Sequence, residues 1–143
     1  QIVMVCGNKT DTSELDPLLK SKNLDAAKDW LKHQIWYSTA ADMEHLKKFW
    51  FNNFCEHPDF KPNYIVPNIS SIVRCLSDNE GFSIIPDFLC SEAIAEKKVK
   101  LIWEGHKIIE NTLYFGTRKK TIFAEEIDQI QRIFEEKMLL ETV

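Results

Sequence analysis

Tyr64-Ile65-Val66-Pro67-Asn68-Ile69-Ser70-Ser71-Ile72-Val73-Arg74-Cys75-Leu76-Ser77-Asp78-Asn79-Glu80-Gly81-Phe82-Ser83-Ile84-Ile85-Pro86 is the stretch whose reading decides the fold. It opens with Asn63-Tyr64-Ile65-Val66, an aromatic and β-branched run of strand type. Pro67 stops that run, and Asn68 stands where a helix N-cap belongs. Ile69, Ile72, Val73 and Leu76 follow at the i, i+3, i+4, i+7 spacing of an amphipathic helix. The stripe ends near Asp78-Asn79. Gly81-Phe82-Ser83-Ile84-Ile85 then reads as a second strand, closed by Pro86. Strand, helix and strand in this order form the unit from which α/β domains are built.

Working outward, the same alternation continues on both sides. Downstream, a helix is expected from Asp87 to about Glu96, then a strand Val99–Trp103, then a last strand Thr112-Leu113-Tyr114-Phe115-Gly116. A final helix from about Phe123 to Met138 carries Phe123, Ile127, Ile130, Phe134 and Met138 on one face. Upstream, residues 2–6 read as a buried strand and residues 8–23, which include Pro17, as loop. A short helical segment spans Asn23 to Leu31, Ile35-Trp36-Tyr37 is a short strand, and a helix runs from about Asp42 to Phe54. Asp42 is its N-cap or first-turn acid, and Met43, Leu46, Trp50 and Phe54 fall near one face. Such alternation predicts a mostly parallel sheet flanked by helices. No internal repeat is present.

The chain has 143 residues, the size of one domain. Its 44% hydrophobic and 28% charged content is that of a globular protein rather than a disordered one. A net charge of −4 argues against this segment gripping a phosphate backbone unaided. The one dense basic cluster, Arg118-Lys119-Lys120, reads as a solvated turn. No apolar run approaches the roughly 20 residues that span a bilayer, and no basic-then-apolar leader stands before Ile2. Cys6, Cys55, Cys75 and Cys90 are widely spaced among apolar neighbours, as buried free thiols are, and fit a reducing cytoplasm. The chain starts at Gln1, directly inside a strand-like run, which reads as a piece of something longer.

Motifs of catalysis are missing. The sequence has no G-x-G-x-x-G, phosphate loop, nucleophile elbow or H-E-x-x-H. His45, Cys55 and His57 provide three donors, but spacing marks no fourth ligand, so no metal and no cofactor is assigned. Glu125-Glu126 and Glu135-Glu136 are neighbours on one helix and read as its solvated face. Two strand-to-helix turns remain. Ser38-Thr39 follow the strand at Ile35–Tyr37, and Asn68, Ser70 and Ser71 follow the strand at Tyr64–Val66. Small hydroxyl and amide groups there can cap a helix, meet a polar ligand, or do both.

The Tyr64–Pro86 stretch resembles the effector-binding domain of LysR-type transcriptional regulators. That family shows a strand, a helix, and a glycine turn into a short apolar strand ending in proline. Here the last part is Glu80-Gly81-Phe82-Ser83-Ile84-Ile85-Pro86, with Ser83 in place of the family's second glycine. Ser91–Glu104 resembles the family's next helix and crossing strand. Asn111–Lys120 resembles the strand before its closing helix, and Ile2–Val5 the strand entering its second lobe. The resemblance covers nearly the whole chain, and the order of the motifs is more specific than any one of them.

What the resemblance implies is a type 2 periplasmic-binding-protein-like α/β fold with one lobe complete and the other partial. Residues 1–143 would be an effector-binding domain fragment, with about 7–103 as the second lobe and 104–143 as the returning part of the first. The family's winged helix-turn-helix is absent from this chain, so DNA would be reached only through it. The matching effector positions are Tyr37, Ser38 and Thr39 after one strand, and Pro67, Asn68 and Ile69 after another. Cys6, Gly7, Trp103 and Glu104 would form the hinge. The implied protein is cytoplasmic, not an enzyme, and not membrane-bound. It would be a homo-oligomer, dimer or tetramer, regulating transcription when a small-molecule effector shifts the oligomer's arrangement on DNA. Apolar surface around Leu113, Phe115 and the last helix would be covered by a partner chain or a missing segment. Two rivals are a small α/β enzyme with an unmarked site and a solute-binding protein of the same fold.

Overall fold

The computed structural model describes residues 1–110, 112 and 114–141. Its chain divides into two units, Gln1–Asn111 and Thr112–Val143. In the first unit the elements run β1 (Ile2–Gly7), α1 (Leu15–Lys20), α2 (Leu24–Leu31), β2 (Tyr37–Ser38), α3 (Glu44–Phe54), β3 (Tyr64–Ile65), α4 (Ile69–Asp78), β4 (Phe82–Pro86), a 3-10 turn (Asp87–Leu89), α5 (Ser91–Ala95) and β5 (Val99–Trp103). The second unit contains α6 (Ala124–Glu141).

β1 organises the first unit. All six of its residues are buried, because each face of the strand meets a helical layer. Side chains alternate across a strand, so Ile2, Met4 and Cys6 enter one core with Leu15, Leu31, Trp36, Leu46, Phe49 and Trp50. Val3 and Val5 enter the other with Ile72, Val73, Leu76, Ile85 and Val99. Burial of one such aliphatic side chain stabilises by about 1.5–3 kcal/mol. A one-residue slip of β1 would exchange every one of these side chains between the two cores, so the register is strongly specified.

The expected type 2 periplasmic-binding-protein-like, mostly parallel sheet does not form. β4, β1 and β5 make a three-stranded antiparallel sheet with β1 in the middle. Among the described residues only β2 and β3 pair in parallel, as a separate two-stranded sheet, with one further parallel bridge joining Trp36 to Phe82. The reason is one inserted strand. β4 and β5 both run opposite to β1, hence the same way as each other, as a helix-connected pair should. β1 slots between them in the reverse direction, a placement that alternation of elements does not encode.

Local chemistry explains the other departures. Residues 8–23 are not all loop, since α1 begins at Leu15 and carries Pro17 in its first turn. A proline is tolerated there because the missing N–H has no helical partner to lose. α3 starts at Glu44 rather than Asp42, preceded by Met43 in the left-handed region (φ +53°). Asp87 to Glu96 breaks into the 3-10 turn and α5. Trp36 is fully buried, and its indole N–H donates to the Leu31 carbonyl at 2.9 Å, so the end of α2 and the start of β2 are tied together.

The second unit has fewer constraints. Thr112, Tyr114, Phe115 and Gly116 lie in no strand, and Leu113 falls outside the described residues. Phe115 and Phe134 sit with ring centroids 6.2 Å apart. On α6 the side chains of Ile130, Ile133, Phe134 and Met138 are exposed. None of the helices described is long and apolar enough to cross a membrane.

Candidate functional site

Parallel pairing of β2 with β3 brings the two predicted turns side by side. Tyr37 lies opposite Tyr64 and Ser38 opposite Ile65, and the Val66 N–H donates to the Ser38 carbonyl at 2.9 Å. Asn63 anchors the entry, because its Oδ1 accepts from the Trp36 N–H at 2.8 Å. The rings of Tyr37 and Tyr64 stack with centroids 5.0 Å apart. Ser38-Thr39 and Pro67-Asn68-Ile69 therefore leave the same end of one small sheet.

The two turns do different work. Asn68 is extended (φ −146°, ψ 125°) and its side chain accepts from the Ser71 N–H at 3.1 Å, which caps α4. Such a cap is worth about 1 kcal/mol. Ser38 and Thr39 cap nothing. The Ser38 hydroxyl donates to the Ala40 carbonyl at 3.0 Å, and α3 opens with no side-chain cap at all.

Tyr37, Ser38 and Thr39 instead line a cavity together with His45 and Ser83, over an apolar floor of Leu46, Ile72, Ile84 and Ile85. The cavity measures about 10 Å³, room for roughly one water. The Ser83 hydroxyl donates to the Tyr37 carbonyl at 2.9 Å, which fixes β4 against β2. Burial first, then the neighbouring Cys75 and Tyr64, raises the Tyr37 phenol above its ordinary pKa. Pro67, Asn68 and Ile69 do not line this cavity. Pro67 and Asn68 are exposed at the neighbouring turn, and Ile69 packs partly buried against the α4 side of the core.

Sequence reasoning missed His45 and Ser83. Ser83 had a signal, standing where the resembling pattern has a glycine. His45 was weighed only as a metal ligand with Cys55 and His57. Among the described residues no group of three or more His, Cys, Asp and Glu side chains could hold a metal ion. His57 stacks on Phe51 with centroids 5.2 Å apart. Cys55 is exposed rather than buried, in a left-handed conformation at the end of α3. Cys6 and Cys90 are buried, and desolvation raises each thiol to a pKa of about 11, so both are protonated and unreactive.

The hinge candidates Cys6, Gly7 and Trp103 lie on two neighbouring antiparallel strands, with Glu104 just beyond: Cys6 pairs with Lys100 and Gly7 with Val99, while Trp103 pairs with Met4, two residues before Cys6. Gly7 is tightly enclosed. A Cβ there would stand 1.9 Å from the Asn79 carbonyl oxygen and 2.8 Å from that of Leu76. A second, unanticipated pocket of about 140 Å³ opens beside this end of β1, lined by Thr10, Asp11, Gln34, Ile35, Glu80, Gly81 and Phe82. Thr10 closes its floor, accepting from the Gly81 N–H at 3.0 Å. Lys100 donates from Nζ to the Thr10 carbonyl at 2.6 Å.

No family model matches the chain, and no curated protein or solved structure does.

Proposed function

We propose that this chain is the ligand-sensing module of a bacterial LysR-type transcriptional regulator, acting in the cytoplasm as part of a homo-oligomer. The observation that carries this reading is the meeting of the two turns. The resemblance to LysR-type regulators implies effector contacts at Tyr37, Ser38 and Thr39. They share a polar cavity with His45 and Ser83, beside the turn that holds Pro67, Asn68 and Ile69. A cavity of this size takes one hydrogen-bonding group of an effector, whose remainder lies over the exposed Pro67–Asn68 turn. Hydroxyl and imidazole groups offer donors and acceptors without a fixed charge, which suits a small polar metabolite. The module's role in regulation is a shift in oligomer arrangement when effector binds, transmitted to DNA through a winged helix-turn-helix outside this chain.

The test is a thermal-shift screen of small polar metabolites against the protein. A ligand at 100 times its Kd stabilises by about 2.7 kcal/mol. The expected hit loses its shift in Thr39→Ala and His45→Ala and keeps it in Asp11→Ala, at the second pocket. A hit whose shift depends on Asp11 instead would move the site and end this assignment. Reading the gene upstream of the Gln1 codon gives an independent check. A frame that continues to a helix-turn-helix supports the regulator, and a signal peptide directly before Gln1 removes it.

A further inference from the structure

The buried face of α3 is made of Leu46, Phe49, Trp50 and Asn53, the i, i+3, i+4, i+7 positions of one stripe. Three of these are apolar. The fourth is an asparagine, only 6% exposed. A carboxamide at such a position is destabilising unless its polar atoms are satisfied. Here they are. The Asn53 Nδ2 donates to the Phe49 carbonyl at 2.8 Å. Its Oδ1 accepts from the His106 N–H at 2.6 Å and from the Lys107 N–H at 3.3 Å.

The segment so gripped has no secondary structure of its own. It follows β5 directly, and over residues 104–110 it carries one buried side chain, Ile109. The same end of α3 holds the last residue of β5, since Phe49 and Phe54 place their rings 5.6 and 5.9 Å from that of Trp103. Gly105 makes the approach possible, with φ +93° and with Asn53 Oδ1 only 2.9 Å from where a Cβ would stand. The opposite end of α3 lines the polar cavity through His45 and Leu46.

We propose that α3 is a strut that carries the state of the cavity at its first turn to the segment leaving β5, with Asn53 as the positioning residue that couples them. The proposal rests on the reading of that cavity as an effector site. Helices packed in a dense core move as units rather than bend. A displacement at His45 and Leu46 therefore reaches Asn53, and Asn53 sets where His106 and Lys107 lie.

The test is amide hydrogen exchange on the full chain, read at His106 and Lys107. In the unaltered protein both amides are protected, although both residues are exposed; free exchange there overturns the proposal without any variant. Asn53→Ala speeds their exchange by about tenfold, whereas the β1 amides change by less than about twofold. His45→Trp, which overfills the cavity, serves as the probe of an occupied site. It changes exchange at the two amides by about threefold in the unaltered background and not in Asn53→Ala. Equal effects of His45→Trp in both backgrounds, or none in either, would falsify the coupling. β1 amides report in each variant whether the domain is folded. Ligand screening reads the cavity and exchange reads the strut, so either can fail alone.

Discussion

α3 and α4 are near-equal helices, 11 and 10 residues long, that follow the two strands of one small parallel sheet. They begin and end in opposite ways. α4 starts on an asparagine whose side chain caps it and ends on Asn79 in extended backbone. α3 starts with no side-chain cap after a left-handed Met43 and ends on a left-handed Cys55. Asn68 is therefore occupied by the helix it caps, whereas Ser38 and Thr39 line a cavity ahead of α3. A serine or asparagine after a strand is thus informative about ligands only once its local hydrogen bonds are known.

The most severe way to break this comparison is Phe49→Ala. Phe49 is fully buried in α3's stripe and meets Trp103 edge to face, so the loss should be about 3–5 kcal/mol in urea unfolding. A loss below about 1 kcal/mol would mean that α3 is not packed as described. Next is Gly7→Ala, which pushes a methyl group against the backbone at the end of α4. Overpacking of this kind costs about 1–3 kcal/mol. Exchange of the amides around Leu76 and Asn79 should quicken more than that around α3, and the reverse order would contradict the packing.

A smaller effect sharpens the contrast at the N-termini. Asn68→Ala removes α4's cap and should cost about 1 kcal/mol, while Thr39→Ala, which removes no cap, should cost under about 0.5 kcal/mol. Equal losses in chemical denaturation would erase the distinction between the turns. The smallest effect has the opposite sign. Cys55 is exposed at φ +57°, so Cys55→Gly should raise stability by about 0.5–1 kcal/mol. The matching change at α4, Asn79→Gly, should bring no gain, because Asn79 is extended and its amide donates to the Cys75 carbonyl at 2.9 Å.

The elements legible in sequence were those whose cause is local. The unbroken apolar run Ile2–Cys6, the stripe through Ile72, Val73 and Leu76, and the cap at Asn68 each depend on neighbours a few residues away. Strand order does not. Nothing near Ile2 states that Pro86 will lie on one side of it and Trp103 beyond its other side. The same limit divides the candidate site. Both turns were visible because glycine, proline and hydroxyl residues punctuate strands, yet their adjacency depends on the long-range pairing of Tyr37 with Tyr64. Asn53 is not legible in the stripe of Met43, Leu46, Trp50 and Phe54, which leaves position 53 off the face. Tracing it through Leu46, Phe49 and Trp50 would have put a polar side chain in the core.

The central place of β1 has a consequence for how the protein is made. Its five apolar residues, Ile2–Cys6, emerge early from a ribosome translating this segment, and both of its strand partners come much later, Pro86 opposite Ile2 and Trp103 opposite Met4. At about 5–20 residues per second, the wait for β4 alone is roughly 4–16 s. A nascent chain must hold its most aggregation-prone strand unpaired for that whole interval. Folding of the first unit is accordingly a late event, timed by the synthesis of β5 rather than by any step along the way.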